Sequence, residues 1–111
     1  MFCVLRDKNH TAQFTAWAEH AQFTYDSLVQ FCTPSSAEYP QVCFWYYVQY
    51  TLHTQLLQAA EYARQHRVIL KGDIPIGISP HSVEAWTEPS LFHLNAQAGA
   101  PPDDFSATGQ H

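Results

Sequence analysis

The sequence predicts an α/β chain that is mostly helical, with one strand of the kind found in parallel sheets. Three observations carry this. Residues 39–66 form one run that is apolar over much of a helix's girth. Val68-Ile69-Leu70-Lys71-Gly72-Asp73-Ile74-Pro75-Ile76-Gly77-Ile78 follows almost at once and opens on three apolar residues. An acidic residue, Asp73, stands where that strand ends. Helix, strand and acidic residue in that order make one turn of a parallel α/β layer. The C-terminal ends of strands carry the chemistry in such layers, which makes Asp73 the first candidate site residue. Gly72-Asp73 also reads as a plain turn signal, and the motif alone does not separate the two.

Composition bounds the rest. At 111 residues there is room for one domain at most. Charged residues are 14% of the chain, against about 25% in ordinary domains. Aromatic residues are also 14% and crowd into one run. A domain this small exposes much of its surface, so the chain is short of charge for an independent life in water. It reads either as one piece of a larger polypeptide or as a small subunit that buries a large interface. The ending, Ala107-Thr108-Gly109-Gln110-His111, is neither a helix end nor a polar tail and favours the piece. Net charge is −5 and the basic residues are scattered, which argues against nucleic acid as a partner. No apolar run approaches the roughly 20 residues that span a bilayer, and the N-terminus has no secretory pattern. The three cysteines, Cys3, Cys32 and Cys43, are odd in number and lack metal-ligand spacing. Reduced thiols in a cytoplasmic setting are expected.

Within residues 1–38 the pattern predicts short helices. Asn9 or Thr11 is the candidate cap of a helix over 12–21, with Phe14, Trp17, Ala18 and Ala21 on one face. A second helix is expected over 26–31. Thr33-Pro34-Ser35-Ser36-Ala37-Glu38 is a break, and Ser35 and Glu38 have capping-box spacing. Pro40 is tolerable only in the first turn of the long helix. Cys43, Tyr46, Tyr47, Tyr50, His53, Leu57 and Ala60 trace one stripe, flanked by Phe44, Trp45, Val48, Leu52 and Leu56. A helix apolar over that much of its surface is expected to be buried between layers. After the strand over 68–78, with its regular part ending near Gly72 or Asp73 because Pro75 cannot donate to a ladder, Ser79-Pro80 reads as the start of a short helix reaching Trp86. Pro89 stops it. Residues 79–111 thus divide into a short helix and a long Gly- and Pro-bounded loop, of the kind that is functional or disordered.

Two constellations bear on chemistry. Asp103-Asp104-Phe105 follows Pro101-Pro102. Carboxylates beside an aromatic ring suit sugar binding, since carboxylates accept hydroxyl protons and ring faces stack on pyranose rings; an exposed acidic turn is the plainer reading. The seven histidines are dispersed. His53 has no second histidine four residues away, so there is no HExxH pattern and a satisfied core histidine is expected. No nucleophile elbow, cysteine–histidine signature or glycine-rich phosphate cradle occurs, and no cofactor is expected.

The residues 70–78 quoted above, Ser82-Val83-Glu84-Ala85-Trp86, Leu91-Phe92, and Ala98-Gly99-Ala100-Pro101-Pro102-Asp103-Asp104-Phe105-Ser106-Ala107-Thr108-Gly109-Gln110 resemble the amylomaltase family, the 4-α-glucanotransferases of glycoside hydrolase family 77. Phe2-Cys3-Val4-Leu5-Arg6-Asp7 and Val48-Gln49-Tyr50-Thr51-Leu52-His53-Thr54-Gln55-Leu56 look like its larger branch, the disproportionating enzymes. The ordered blocks run over essentially the whole chain. The resemblance implies a (β/α)8 barrel that moves α-1,4-glucan segments between acceptors by a retaining, covalent mechanism. It also implies a partial catalytic domain. The family's nucleophile Asp, acid/base Glu and stabilising Asp lie on later strands and have no counterpart here. Asp73 matches the residue ending an early barrel strand, the third. Asp103, Asp104, Phe105 and Gln110 match a loop that overhangs the sugar sites. Phe105 is expected to stack on a glucose ring, and Asp103 and Gln110 to hydrogen-bond its hydroxyls. Asp104 stands where many smaller members have Tyr, and Arg67 where the family usually has Gly. The implied partners are an α-1,4-glucan or maltooligosaccharide and the remainder of the same polypeptide, with no nucleic acid and no membrane. The competing expectation is a stand-alone helical interaction module without catalysis, docking through the aromatic helix.

Overall fold

A computed structural model describes residues 1–75 and 77–109. These form four helices and two 3-10 turns, and no β-strand element among the described residues. The chain divides into two compact units: Met1–Thr11 with Thr24–Asp73, and Ala12–Phe23 with Ile74–His111.

The first unit holds helices α1 (Phe2–Asn9), α2 (Tyr25–Phe31) and α3 (Tyr39–Gln65). Helix α1 falls where the sequence pattern reads only as an apolar start turning polar. Two devices end it: the Asn9 side chain donates to the Leu5 carbonyl at 2.8 Å, and His10 turns left-handed with φ 55°. Arg6 and Lys8 in its last turn suit the helix dipole. Val4 and Leu5 are buried, and α1 packs on α3. Helix α2 starts one residue before its expected position because Thr24 caps it, its hydroxyl accepting from the Ser27 N–H at 3.1 Å. Phe31 is its buried residue.

The break before α3 is tied by Ser36 rather than Ser35. The Ser36 hydroxyl donates to Glu38 Oε2 at 3.1 Å and accepts from the Glu38 N–H. That bond and the Lys8 ammonium, 3.3 Å from Oε1, hold the Glu38 carboxyl below its usual range. Pro40 sits in the first turn of α3, as its missing N–H requires. Val42 is wholly covered at 0% exposure, and the Arg6 guanidinium lies 5.3 Å from the Trp45 ring centroid.

The expected burial of the α3 stripe fails. Val42 is the one buried residue of α3. Cys43, Tyr46, Tyr47, His53 and Leu57 are exposed, and Tyr50 is 69% exposed. Elements within unit 1 cover only the first turns of the helix. His53 is therefore a surface residue here, not a core histidine.

The end of α3 explains Arg67. The residue is left-handed, φ 58°. Its N–H donates to the Arg64 carbonyl at 3.0 Å, and the Val68 N–H reaches the Ala63 carbonyl at 2.8 Å. These are the two bonds of a Schellman termination. Glycine adopts that conformation without penalty, whereas a residue with a Cβ is strained in it.

The strand expected over 68–78 is not formed among its described residues. Ile69 is 91% exposed. The physical reason is that a strand satisfies its N–H and C=O groups only across a ladder, and no second strand is described in the chain.

The second unit is built on Trp86. Helix α4 (Val83–Thr87) is capped by Ser82, whose hydroxyl accepts from the Ala85 N–H at 3.2 Å. It begins later than Ser79-Pro80 because Ser79 closes its own turn, accepting from the N–H groups of His81 and Ser82. Pro89 marks the end of α4 and opens a 3-10 turn, Pro89–Leu91. Ala85 and Trp86 are buried. The Trp86 indole donates to the His20 carbonyl at 2.9 Å and meets the rings of Trp17 and Phe23 edge-on at 5.9 and 5.0 Å. The helix expected over 12–21 shrinks to a 3-10 turn, Phe14–Ala16. Gln13 supplies no side-chain cap, and Trp17 is extended. Trp17 is buried there against Trp86, a tertiary contact that overrides the helical spacing.

Two outcomes are expected. The isolated chain should self-associate, because the α3 stripe exposes a broad apolar face; sedimentation velocity checks this, and a monodisperse monomer with one sharp cooperative melt would count against it. Arg67→Gly should stabilise the end of α3 by on the order of 1 kcal/mol, the relief of left-handed strain less the added freedom of the unfolded chain. The denaturation midpoint of the helical signal measures it, and a lower midpoint contradicts the assignment of strain.

Candidate functional site

The candidate site is the loop 100–109 of the second unit. Its frame is local. The Asp103 and Ser106 backbones exchange hydrogen bonds, N–H to C=O, at 3.1 and 3.3 Å. The Asp103 carboxylate folds back over the same turn, and its Oδ1 accepts from the Phe105 N–H at 2.9 Å and from the Ser106 N–H at 2.7 Å. This is an Asx turn, the conformation in which an aspartate mimics a backbone acceptor. The Ser106 hydroxyl donates to the Gly109 carbonyl at 2.7 Å, and the Gly109 N–H returns to the Ser106 carbonyl at 3.1 Å.

Gly109 closes the loop against its own base. Its φ is +73°, and a Cβ built there would lie 2.3 Å from the Ala100 carbonyl oxygen and 3.2 Å from Pro102 N. No side chain fits that space, so both conformation and close approach require glycine. The product of this bracing is the exposure of Phe105. Its ring is 99% exposed, on a turn whose amides are tied down beneath it.

The predicted residues therefore divide. Asp103, Asp104 and Phe105 come together on one turn. Asp104 is exposed. Asp103 spends one carboxylate oxygen on the turn, so the plainer acidic-turn reading describes its local chemistry. Asp73 belongs to the first unit, beside Gly72 at the end of the extended segment. Gln110 lies outside the described residues. Ser106 and Gly109 escaped the reading as site residues. Their signals were the Asp-x-x-Ser spacing of a turn and a lone glycine shortly after it.

Two clefts stand apart from these residues. One of about 920 Å³ lies in the second unit between Gly77, Ile78 and Pro80 on one side and Leu91, Phe92 and Asn95 on the other. The Asp103–Phe105 turn does not line it. Another, of about 480 Å³, lies in the first unit beside the Lys8–Glu38 pair and Trp45. In the same unit the Cys43 thiol beside Tyr39 and the Cys32 thiol beside Tyr46 push both phenols above their ordinary value through hydrogen bonding. No group of three or more His, Cys, Asp or Glu among the described residues is placed to hold a metal. No helix among them is long and apolar enough to cross a membrane.

Similar proteins are found by sequence. A family model described as 4-alpha-glucanotransferase matches residues 1–111. The chain is 44% identical over 110 residues to the 4-alpha-glucanotransferase DPE2 of Oryza sativa subsp. japonica, covering 99% of this chain and 12% of the rice protein. It is 41% identical over 71 residues to a 4-alpha-glucanotransferase of Chlamydia pneumoniae, covering 64% of this chain and 14% of that protein. With the Clostridium butyricum 4-alpha-glucanotransferase it shares 28% over 117 residues, 99% of this chain and 24% of that protein. The chain thus spans between 12% and 24% of the length of these curated relatives. No solved structure matches it. With the match running from the first helix through the braced loop, the chain belongs to the 4-alpha-glucanotransferases of glycoside hydrolase family 77.

Proposed function

We propose that this chain is an early part of the catalytic domain of a 4-α-glucanotransferase, and that its loop 100–109 presents Phe105 to an α-1,4-glucan or maltooligosaccharide. The observation that carries the proposal is the fully exposed Phe105 ring on a loop braced by its own hydrogen bonds, within a chain that matches the family over its whole length. An unbraced loop would collapse an apolar ring onto the nearest apolar surface; a braced one keeps the ring available for a sugar face.

In this reading residues 68–78 become the third strand of a (β/α)8 barrel once neighbouring strands are present. Asp73 then stands at the barrel mouth, and α3 joins the outer layer with its apolar stripe turned to the rest of the polypeptide. Transfer proceeds with retention of configuration through a covalent glycosyl-enzyme, on carboxylates supplied by later strands. The part of this chain is to hold the sugar and keep water out, which favours attack by a sugar hydroxyl over hydrolysis. The three free cysteines support a reducing, cytoplasmic setting.

A second reading, an interaction module docking through α3, draws on the exposed Tyr46, Tyr47 and Tyr50. The reading frame beyond position 111 separates the two. Continuation into further barrel strands supports the enzyme.

Three outcomes are expected with maltotriose as substrate. The isolated chain releases no glucose above buffer, and clear turnover would sink the partial-domain reading. In the full-length protein, Phe105→Ala weakens acceptor binding by on the order of 1 kcal/mol and raises the ratio of hydrolysis to transfer. Asp73→Asn lowers turnover with less effect on that ratio. Both products are quantified in each variant. An unchanged ratio for Phe105→Ala leaves the loop a structural cover.

A further inference from the structure

We infer that Asp103 is a positioning residue: its Oδ1 sets the turn that presents Phe105, a task that needs the oxygen acceptor and not the charge. This rests on the proposed role of Phe105. The reasoning starts from the carboxylate. Asp103 Oδ1 receives two backbone N–H groups, from Phe105 at 2.9 Å and Ser106 at 2.7 Å. Both distances are in the range of charge-assisted hydrogen bonds. Those two amides flank the Cα that carries the exposed ring. Fixing them fixes the direction in which Cα–Cβ of Phe105 leaves the turn, and with it the placement of the ring.

The Asp103 carbonyl shares the Ser106 N–H at 3.3 Å, and the Phe105 N–H is held by Oδ1. The Ser106 hydroxyl is committed to the Gly109 carbonyl. The Asp103 N–H and C=O are paired with Ser106. Gly109 braces the base of the loop at Ala100–Pro102 and reaches the turn through Ser106, with no bond to the Phe105 N–H. Both lone-pair directions of Oδ1 are taken by the two amides, so a sugar hydroxyl bonding to that oxygen would have to displace an amide, and Oδ2 is the oxygen left open to a sugar. Asp103 thus differs in kind from Asp104, whose exposed carboxylate has no such bond within the turn.

The distinction is chemical. An Asx turn needs an oxygen acceptor at this position and no net charge, so asparagine serves as well as aspartate. A carboxylate that accepts sugar hydroxyl protons loses an acceptor and its charge when it becomes an amide. The test uses the full-length protein with D103N, D103A, F105A and the double variant D103A/F105A. Three readouts are taken: acceptor KM and kcat separately, the hydrolysis-to-transfer ratio, and hydrogen exchange of the segment 103–109.

D103N should hold the ratio and the exchange protection within about twofold of the parent. D103A should lose protection across 105–106. Its ratio and acceptor KM should move as those of F105A do, by roughly fivefold for about 1 kcal/mol of stacking, with kcat little changed. D103A/F105A should show no further loss beyond F105A, because both changes remove one effect. Impairment of D103N equal to that of D103A overturns the inference and makes the charge a sugar ligand. So does additive loss in the double variant, or unaltered exchange in D103A. If D103A loosens the segment while F105A leaves the ratio unchanged, the turn-setting role of Asp103 stands and the proposed role of Phe105 fails.

Discussion

A helix satisfies its own backbone and a strand does not; that asymmetry governs what this chain builds. Past the first turn, where Pro40 has no N–H and Tyr39 and Gln41 donate three residues back, the N–H groups of α3 find carbonyls four residues back. The helix therefore runs unbroken from Tyr39 to Gln65, although little beyond its first turns is covered. Val42, fully buried, and Tyr50, mostly exposed, lie on the same uninterrupted helix. The segment that follows has the composition of a strand, with three apolar residues from Val68 to Leu70. A strand's ladder would have to come from other strands, and no strand forms here among the described residues. A helix needs only local bonding; a strand needs a second strand beside it.

The same rule sorts what was legible in the sequence from what was not. The long helix was legible to within one residue, because Pro40, the apolar run and the closing cations are local signals. So was the helix ending at Phe31. The 12–21 segment misled because Phe14, Trp17 and Ala21 have helical spacing, yet Trp17 is claimed by Trp86 far along the chain. Nothing near Trp17 announces that contact. Helix α1 was missed for the opposite reason. Its polar end, Arg6 to Asn9, hides an apolar pair, Val4 and Leu5, whose value appears only when α3 lies across them. Arg67 belongs to the same class: the residue type hides a left-handed position that only the two bonds around it reveal.

The candidate site was legible as a composition and not as a division of labour. Two prolines, two aspartates and a phenylalanine announce an acidic, aromatic loop. They do not say which aspartate turns inward. That is decided by distance along the backbone: the first aspartate has amides two and three residues ahead of it, at the reach of a short side chain. Glycine at 109 was likewise visible only as a flexible point. Its role is the reverse, since the space beside it admits no Cβ and the loop closes tightly there.

These features bear on why a protein would keep an aromatic ring in water. Burying a phenylalanine side chain is worth roughly 1.5–3 kcal/mol, so an exposed one is pulled toward any apolar surface within reach. Bracing removes that reach. The hydrogen bonds at Asp103, Ser106 and Gly109 use only short side chains and backbone, and each costs little side-chain entropy to form. Under the proposed function the ring is then already placed when a sugar arrives, and less ordering cost is charged against binding. A loop that arrives ordered also covers its substrate as one piece. In a transferase this matters beyond affinity, because water competes with the acceptor for the same reactive carbon, and a cover that leaves gaps admits the smaller of the two.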